Sequence, residues 1–157
     1  MSNAKDLLAL CRSRNATLSS CESLTAGLFT ATMASVPGAS SILKGGLVTY
    51  FTEMKVVLAK VDPTLIETYG VISKECSVAM AQNTRKLTDS TYCVSFTGNA
   101  GPEAMEDKPA GRVYCTIASV DRYETYCFQV DSLDRNALRE YIVEKMIENC
   151  IEFIEKE

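Results

Sequence analysis

The chain has 157 residues, of which 46% are hydrophobic and 23% charged, with a net charge of −4. These values describe one ordinary globular domain over 1–157 and exclude the basic footprint of a nucleic-acid binder. No stretch approaches the ~18 uninterrupted apolar residues of a membrane span, and no basic-then-apolar leader opens the chain, so no membrane partner and a cytoplasmic location are expected.

Residues 5–14 predict a helix with Leu7, Leu8, Leu10 and Cys11 available to face inward. Ser2-Asn3-Ala4 ahead of it reads as a cloning remnant. Residues 16–21 predict a short strand, and Glu22-Ser23 opens a helix that runs to about residue 35 and ends at Val36-Pro37-Gly38. Residues 46–51 form a second predicted strand and residues 53–59 a helix. Asp62-Pro63 has the form of a cap with proline in the first turn, and that helix stops near Tyr69-Gly70. Ser73 is the expected N-cap of the next long helix.

Residues 90–97 predict a strand, residues 98–111 a polar loop bearing glycine and proline, and residues 112–120 and 123–130 an antiparallel hairpin. Asp134 begins the last helix. Its stripe of Leu138, Ile142, Met146, Cys150 and Ile154, widened by Val143, Ile147 and Ile151, serves either a core or an interface. The order α-β-α-β-α-α-α-β-β-β-α predicts an α/β fold: a three-layer α/β/α sandwich with a mixed sheet.

There is no histidine, which removes the Ser-His-Asp arrangement, the commonest zinc ligand and the commonest general base. The seven cysteines form no C-x-x-C pair; they read as small buried hydrophobes in a reducing compartment. Asn15-Ala16-Thr17 and Ser41-Ile42-Leu43-Lys44 match a glycosylation sequon and an S-x-x-K pattern by chance, since the features that accompany each elsewhere are missing.

Ser23 is the best-placed nucleophile. It stands at a strand-to-helix junction, where unpartnered backbone N–H groups favour an anion. Ser23 and Thr25 can equally serve as helix caps. Ala26 and Gly27 leave the backbone there unobstructed. Thr97-Gly98-Asn99-Ala100-Gly101-Pro102 is a second cradle, or an ordinary surface loop. Tyr50 and Lys55 supply a phenol and an amine near the end of the second strand. A lysine there is usually a solvated charge; buried beside Ser23, it would lose its proton to desolvation and could accept that of the serine. Arg135 and Arg139, one turn apart, are either paired with acids such as Asp134 and Glu140 or available to a phosphate.

These segments, in this order, resemble the C-terminal domain of the CinA (competence/damage-inducible protein) family. The resemblance runs from about Ala16 to Arg139. It is carried by Glu22-Ser23-Leu24-Thr25-Ala26-Gly27, Val36-Pro37-Gly38-Ala39-Ser40, Gly46-Leu47-Val48-Thr49-Tyr50 with Glu53 and Lys55, Tyr69-Gly70-Val71-Ile72-Ser73, the 95–102 segment and Lys108-Pro109-Ala110-Gly111. The resemblance implies hydrolysis of the carboxamide of nicotinamide mononucleotide to nicotinic acid mononucleotide and ammonia, with no metal and no organic cofactor, in a homo-oligomer. It implies catalytic roles for Ser23, Lys55, Tyr50 and Thr97. Substrate contacts would come from Thr25, Gly27, Gly98, Gly101, Arg135 and Arg139.

The chain also departs from the family pattern. Leu24 and Ala26 stand where the first motif has a cysteine and a glycine. Phe51-Thr52 replaces Ser-Asn, and Asn99 replaces an isoleucine. Glu103-Ala104-Met105-Glu106-Asp107 replaces a loop with two glycines. A methyl group at Ala26 could block a positive φ or the close approach of substrate, and the acidic loop is expected to bring bulk and negative charge near the phosphate site. These departures motivate the alternative of a non-catalytic or altered-specificity module that binds a nucleotide or a partner.

Overall fold

The computed structural model describes residues 2–157. In chain order the elements are α1 (Ser2–Ser13), β1 (Leu18–Glu22), α2 (Leu28–Ala34), a 3-10 turn (Ala39–Ser41), β2 (Leu43–Val48), α3 (Thr52–Val57), α4 (Pro63–Tyr69), α5 (Lys74–Thr88), β3 (Tyr92–Gly98), β4 (Arg112–Ala118), β5 (Tyr123–Gln129) and α6 (Arg135–Glu155). The sheet order is β2-β1-β3-β4-β5. β1 runs parallel to both β2 and β3, while β4 and β5 continue antiparallel. This is the expected mixed sheet.

The sandwich follows from where the apolar residues lie. β1 is buried at every position and β3 at all but its last, as strands covered on both faces must be. One cluster, with Leu7, Phe29, Phe96 and Ile142 among its members, packs α1, α2 and α6 on one face. A second, with Cys21, Ile72, Cys76 and Met80, packs α5 on the other. The stripe of α6 lies in the first cluster, with Ile151 partly buried against it, so it serves the core. Caps fall where expected: Asp62 accepts from Thr64 N–H, Ser73 from Cys76 N–H and Asp134 from Ala137 N–H. All seven cysteines are free thiols, and only Cys127 is exposed. Among the described residues no helix is long and apolar enough to cross a membrane.

Two expectations are corrected. First, the helix expected over residues 5–14 begins at Ser2, with Ala4 buried in the core. Second, the helix expected from Glu22-Ser23 begins only at Leu28. Residues 23–27 form a turn in which Ala26 N–H donates to Ser23 O and both Ala26 and Gly27 stand at positive φ. Ala26 therefore adopts the positive φ that its methyl group could have blocked.

Candidate active site

The sheet register brings the two cradles together. Glu22 at the end of β1 pairs with Phe96 of β3, and Ser23 N–H donates to Phe96 O at 2.9 Å. Ser23 and Thr97 thus meet at the carboxyl edge of the parallel strands, where ligands bind in open α/β sheets.

Lys55 arrives from α3 and is 1% exposed. Its Nζ lies 2.9 Å from Ser23 Oγ, 2.7 Å from Thr49 O and 3.3 Å from Tyr50 O. Burial lowers its pKa from the ordinary lysine value, with Cys76, Cys21 and Glu106 opposing that shift. A neutral amine has two N–H donors and one lone pair. Were the amine to lose its proton, the two carbonyls could hold its N–H donors and leave the lone pair facing the Ser23 hydroxyl.

The turn that carries Ser23 is fixed by a carboxylate. Glu22 is fully buried and accepts from Phe29 N–H and Thr30 N–H, both at 2.9 Å. It also accepts from the hydroxyls of Thr30 at 2.7 Å and Ser20 at 3.2 Å. Leu28 N–H donates to Thr25 O. The start of α2 is therefore satisfied from within, and neither reading of Ser23 as its cap or as the neighbour of free helix donors holds. The amides of Leu24 and Thr25, in contrast, have no hydrogen-bond partner among the described residues. The Thr25 hydroxyl is likewise buried without a partner. Only the spacing of a glutamate seven residues before Phe29 could have signalled this carboxylate cap.

The remaining candidates fall into distinct places. Thr97 is buried and lines the crevice, but its hydroxyl donates to Val71 O at 2.7 Å. Tyr50 is half exposed at the mouth, and its hydroxyl accepts from Arg135. Arg135 also donates to Gly101 O at 2.8 Å. Arg139 donates to Leu24 O at 2.8 Å and Thr25 O at 3.0 Å, so it braces the serine turn from outside. Neither arginine pairs with Asp134 or Glu140. Gly27 caps α2. Gly98 is explained by strand packing: a Cβ there would stand 2.6 Å from Arg112 O. Gly101 lines a neighbouring recess. Ser41 and Lys44 do not meet; the hydroxyl donates to Gly38 O and the amine to Thr88 O and Asp89 O.

The crevice over Ser23 and Lys55 encloses about 110 Å³. It is bounded by Thr97, Tyr50, Arg135 and Met105 among others. Beyond Ala100 and Arg135 it adjoins a recess of about 540 Å³ between Gly101-Pro102 and Asp131.

Fold and site together define a class: a three-layer α/β domain with a serine–lysine pair at the carboxyl edge of its sheet. The sequence model of the CinA C-terminal domain matches residues 1–154, and the chain belongs to that family. It is 43% identical over 148 residues to a protein of Listeria welshimeri provisionally named competence-damage inducible protein, covering 94% of this chain and 35% of that one. A protein of Streptococcus gordonii with the same provisional name is 42% identical over 134 residues, covering 85% and 32%. The chain thus spans about a third of the length of the curated relatives it matches. In fold it is similar to a CinA superfamily protein from Klebsiella pneumoniae, with TM-score 0.96 and 22% identity over 99% of this chain and 98% of that one. It is also similar to a competence/damage inducible protein from Agrobacterium tumefaciens, with TM-score 0.92 and 23% identity over 96% and 92%.

Proposed function

We propose that this domain is an amidohydrolase that converts nicotinamide mononucleotide to nicotinic acid mononucleotide and ammonia. The observation that carries this reading is the buried Lys55 amine, 2.9 Å from Ser23 Oγ and otherwise bonded only to carbonyls. An amine so held is a base aimed at one hydroxyl. The choice of a pyridine nucleotide rests on the family resemblance, and the adjoining recess supplies room for ribose and phosphate.

Ser23 Oγ attacks the carboxamide carbon while Lys55 Nζ takes its proton. The amide oxygen becomes an oxyanion. The unpartnered amides of Leu24 and Thr25 are its donors in this reading, in place of Thr97, whose proton is committed to Val71 O. Each such donor contributes about 2.7–4 kcal/mol of barrier lowering. The C–N bond then breaks, and Lys55 returns the proton to the departing ammonia. Water, deprotonated by Lys55, attacks the acyl-serine; the ester C–O bond breaks, Lys55 returns that proton to Ser23 Oγ, and the carboxylic acid is released.

The Glu106 carboxylate of the acidic loop is held by Val71 N–H and Ile72 N–H, so this one side chain is turned to the 71–72 segment. The test is ammonia release from nicotinamide mononucleotide by the purified chain. Ser23→Ala should lower the rate by about 10⁴-fold or more and Lys55→Met by about 10²–10⁴-fold. No ammonia from any pyridine nucleotide or free amide overturns the reading.

A further inference from the structure

Residues 105–108 close on themselves as a tight hairpin. Met105 N–H donates to Lys108 O at 3.2 Å, and Lys108 N–H donates to Met105 O at 2.8 Å. The central residues, Glu106 and Asp107, both stand at positive φ, at 55° and 58°. That conformation suits asparagine and glycine, and two adjacent carboxylates hold it only against strain and repulsion. Something must compensate.

The compensation is a second segment shaped to receive the hairpin. The Glu106 carboxylate accepts from Val71 N–H at 2.9 Å and Ile72 N–H at 3.0 Å. Lys108 Nζ donates to Tyr69 O at 3.0 Å and to Ile72 O, and lies 3.5 Å from Glu106 Oε1. Gly70 completes the fit. It stands at φ +80°, and a Cβ there would lie 2.5 Å from Glu106 Oε1. Opposite the docked pair, Val71 O accepts the Thr97 hydroxyl at 2.7 Å, and Val71 and Met105 both line the crevice over Ser23.

We propose that Glu106 and Lys108 clamp Met105 as the roof of the Ser23–Lys55 crevice, so that Met105 is a specificity-determining residue limiting the size of the group that reaches Ser23. Met105 is half exposed and borders a space of about 110 Å³, and the held backbone of the hairpin keeps its side chain beside that space. The consequence for substrate choice rests on the amidase reading; the steric claim does not.

The experiment separates the two. Ser23→Cys places a thiol where the hydroxyl stands. Its alkylation by iodoacetamide and by N-phenylmaleimide is followed by peptide mass mapping, with exposed Cys127 as the internal reference. On that background Met105→Ala should raise the maleimide-to-iodoacetamide rate ratio about tenfold or more, the scale of a pocket's discrimination by one or a few methylenes. Glu106→Gln and Gly70→Ala should raise it in the same direction from the two sides of the clamp. A ratio unchanged within about twofold in Met105→Ala overturns the roof. In the Ser23 protein, Met105→Ala should likewise shift kcat/KM toward substituted nicotinamides relative to nicotinamide. A protein that releases no ammonia from either overturns the amidase reading, and thiol labelling still decides the roof.

Discussion

The carbonyl of Thr49 lies 2.7 Å from Lys55 Nζ, closer than the Ser23 hydroxyl at 2.9 Å. The turn after β2 therefore does more than deliver Lys55 to the crevice. It supplies the acceptor that fixes the direction of the amine. Without that acceptor and the Tyr50 carbonyl, the lysine could rotate its lone pair away from Ser23.

Activity should depend on pH through Lys55. Burial holds its pKa below the ordinary lysine value, against the opposing influence of Cys76, Cys21 and Glu106. The neutral amine is the base, so kcat/KM rises as the proton leaves and levels off below the pH of about 10.4 at which a free lysine titrates. Stability carries the same signature. Between the lowered folded pKa and the unfolded one, the unfolded chain binds more protons, so stability rises with pH on this account. Urea titrations of wild type and Lys55→Met across that window should show the difference moving in favour of wild type as pH rises. A difference flat with pH would contradict the lowered pKa.

Much of this arrangement is legible in the sequence because it depends on local periodicity and on strand ends. Asp62, Ser73 and Asp134 are short-range caps, and each lies where its spacing places it. The meeting of Ser23 with Thr97 follows from a parallel sheet. The start of α2 was not legible, because a glutamate inside a strand and five intervening turn residues form its cap through tertiary packing. The same is true of Glu106: its sequence neighbours suggest a solvated acidic loop, and only the approach of Gly70 and Val71 gives its carboxylate donors. Arg135 and Arg139 look equivalent at one helical turn apart, yet one faces the crevice mouth and the other the back of the serine turn.

Glu22 should prove essential to the fold around Ser23. Its carboxylate accepts from two backbone amides and two hydroxyls. Gly46 makes room for this cluster, since a Cβ there would stand 2.5 Å from Ser20 Oγ. Glu22→Gln turns one acceptor into a donor that faces other donors, and should cost about 2 kcal/mol in urea unfolding. A change under about 0.5 kcal/mol would mean that the start of α2 finds other partners.

Ala26 carries removable strain. At φ 49° its Cβ crowds the backbone in a conformation that glycine takes freely. Relief of about 1–2 kcal/mol is partly offset by the greater entropy glycine loses on folding, so Ala26→Gly should stabilise the protein by about 0.5–1 kcal/mol. Thermal unfolding should show a Tm higher by about 2 °C. A lowered Tm would show that the methyl group makes packing contacts that outweigh the strain.

The two arginines should separate binding from positioning. Arg135 lines both the crevice and the recess, and its guanidinium reaches Tyr50 and Gly101 without a carboxylate partner. A phosphate in the recess would gain a charge-assisted hydrogen bond from it. Arg135→Ala should therefore raise KM for nicotinamide mononucleotide by roughly 10- to 100-fold and leave free nicotinamide nearly unaffected. Arg139 instead holds the carbonyls of Leu24 and Thr25, whose amides are the proposed oxyanion donors. Arg139→Ala should lower kcat for both amides by the same factor, with little change in the ratio of their KM values. If Arg135→Ala weakens both substrates equally, Arg135 does not hold the phosphate. If Arg139→Ala discriminates between them, Arg139 does more than brace the turn.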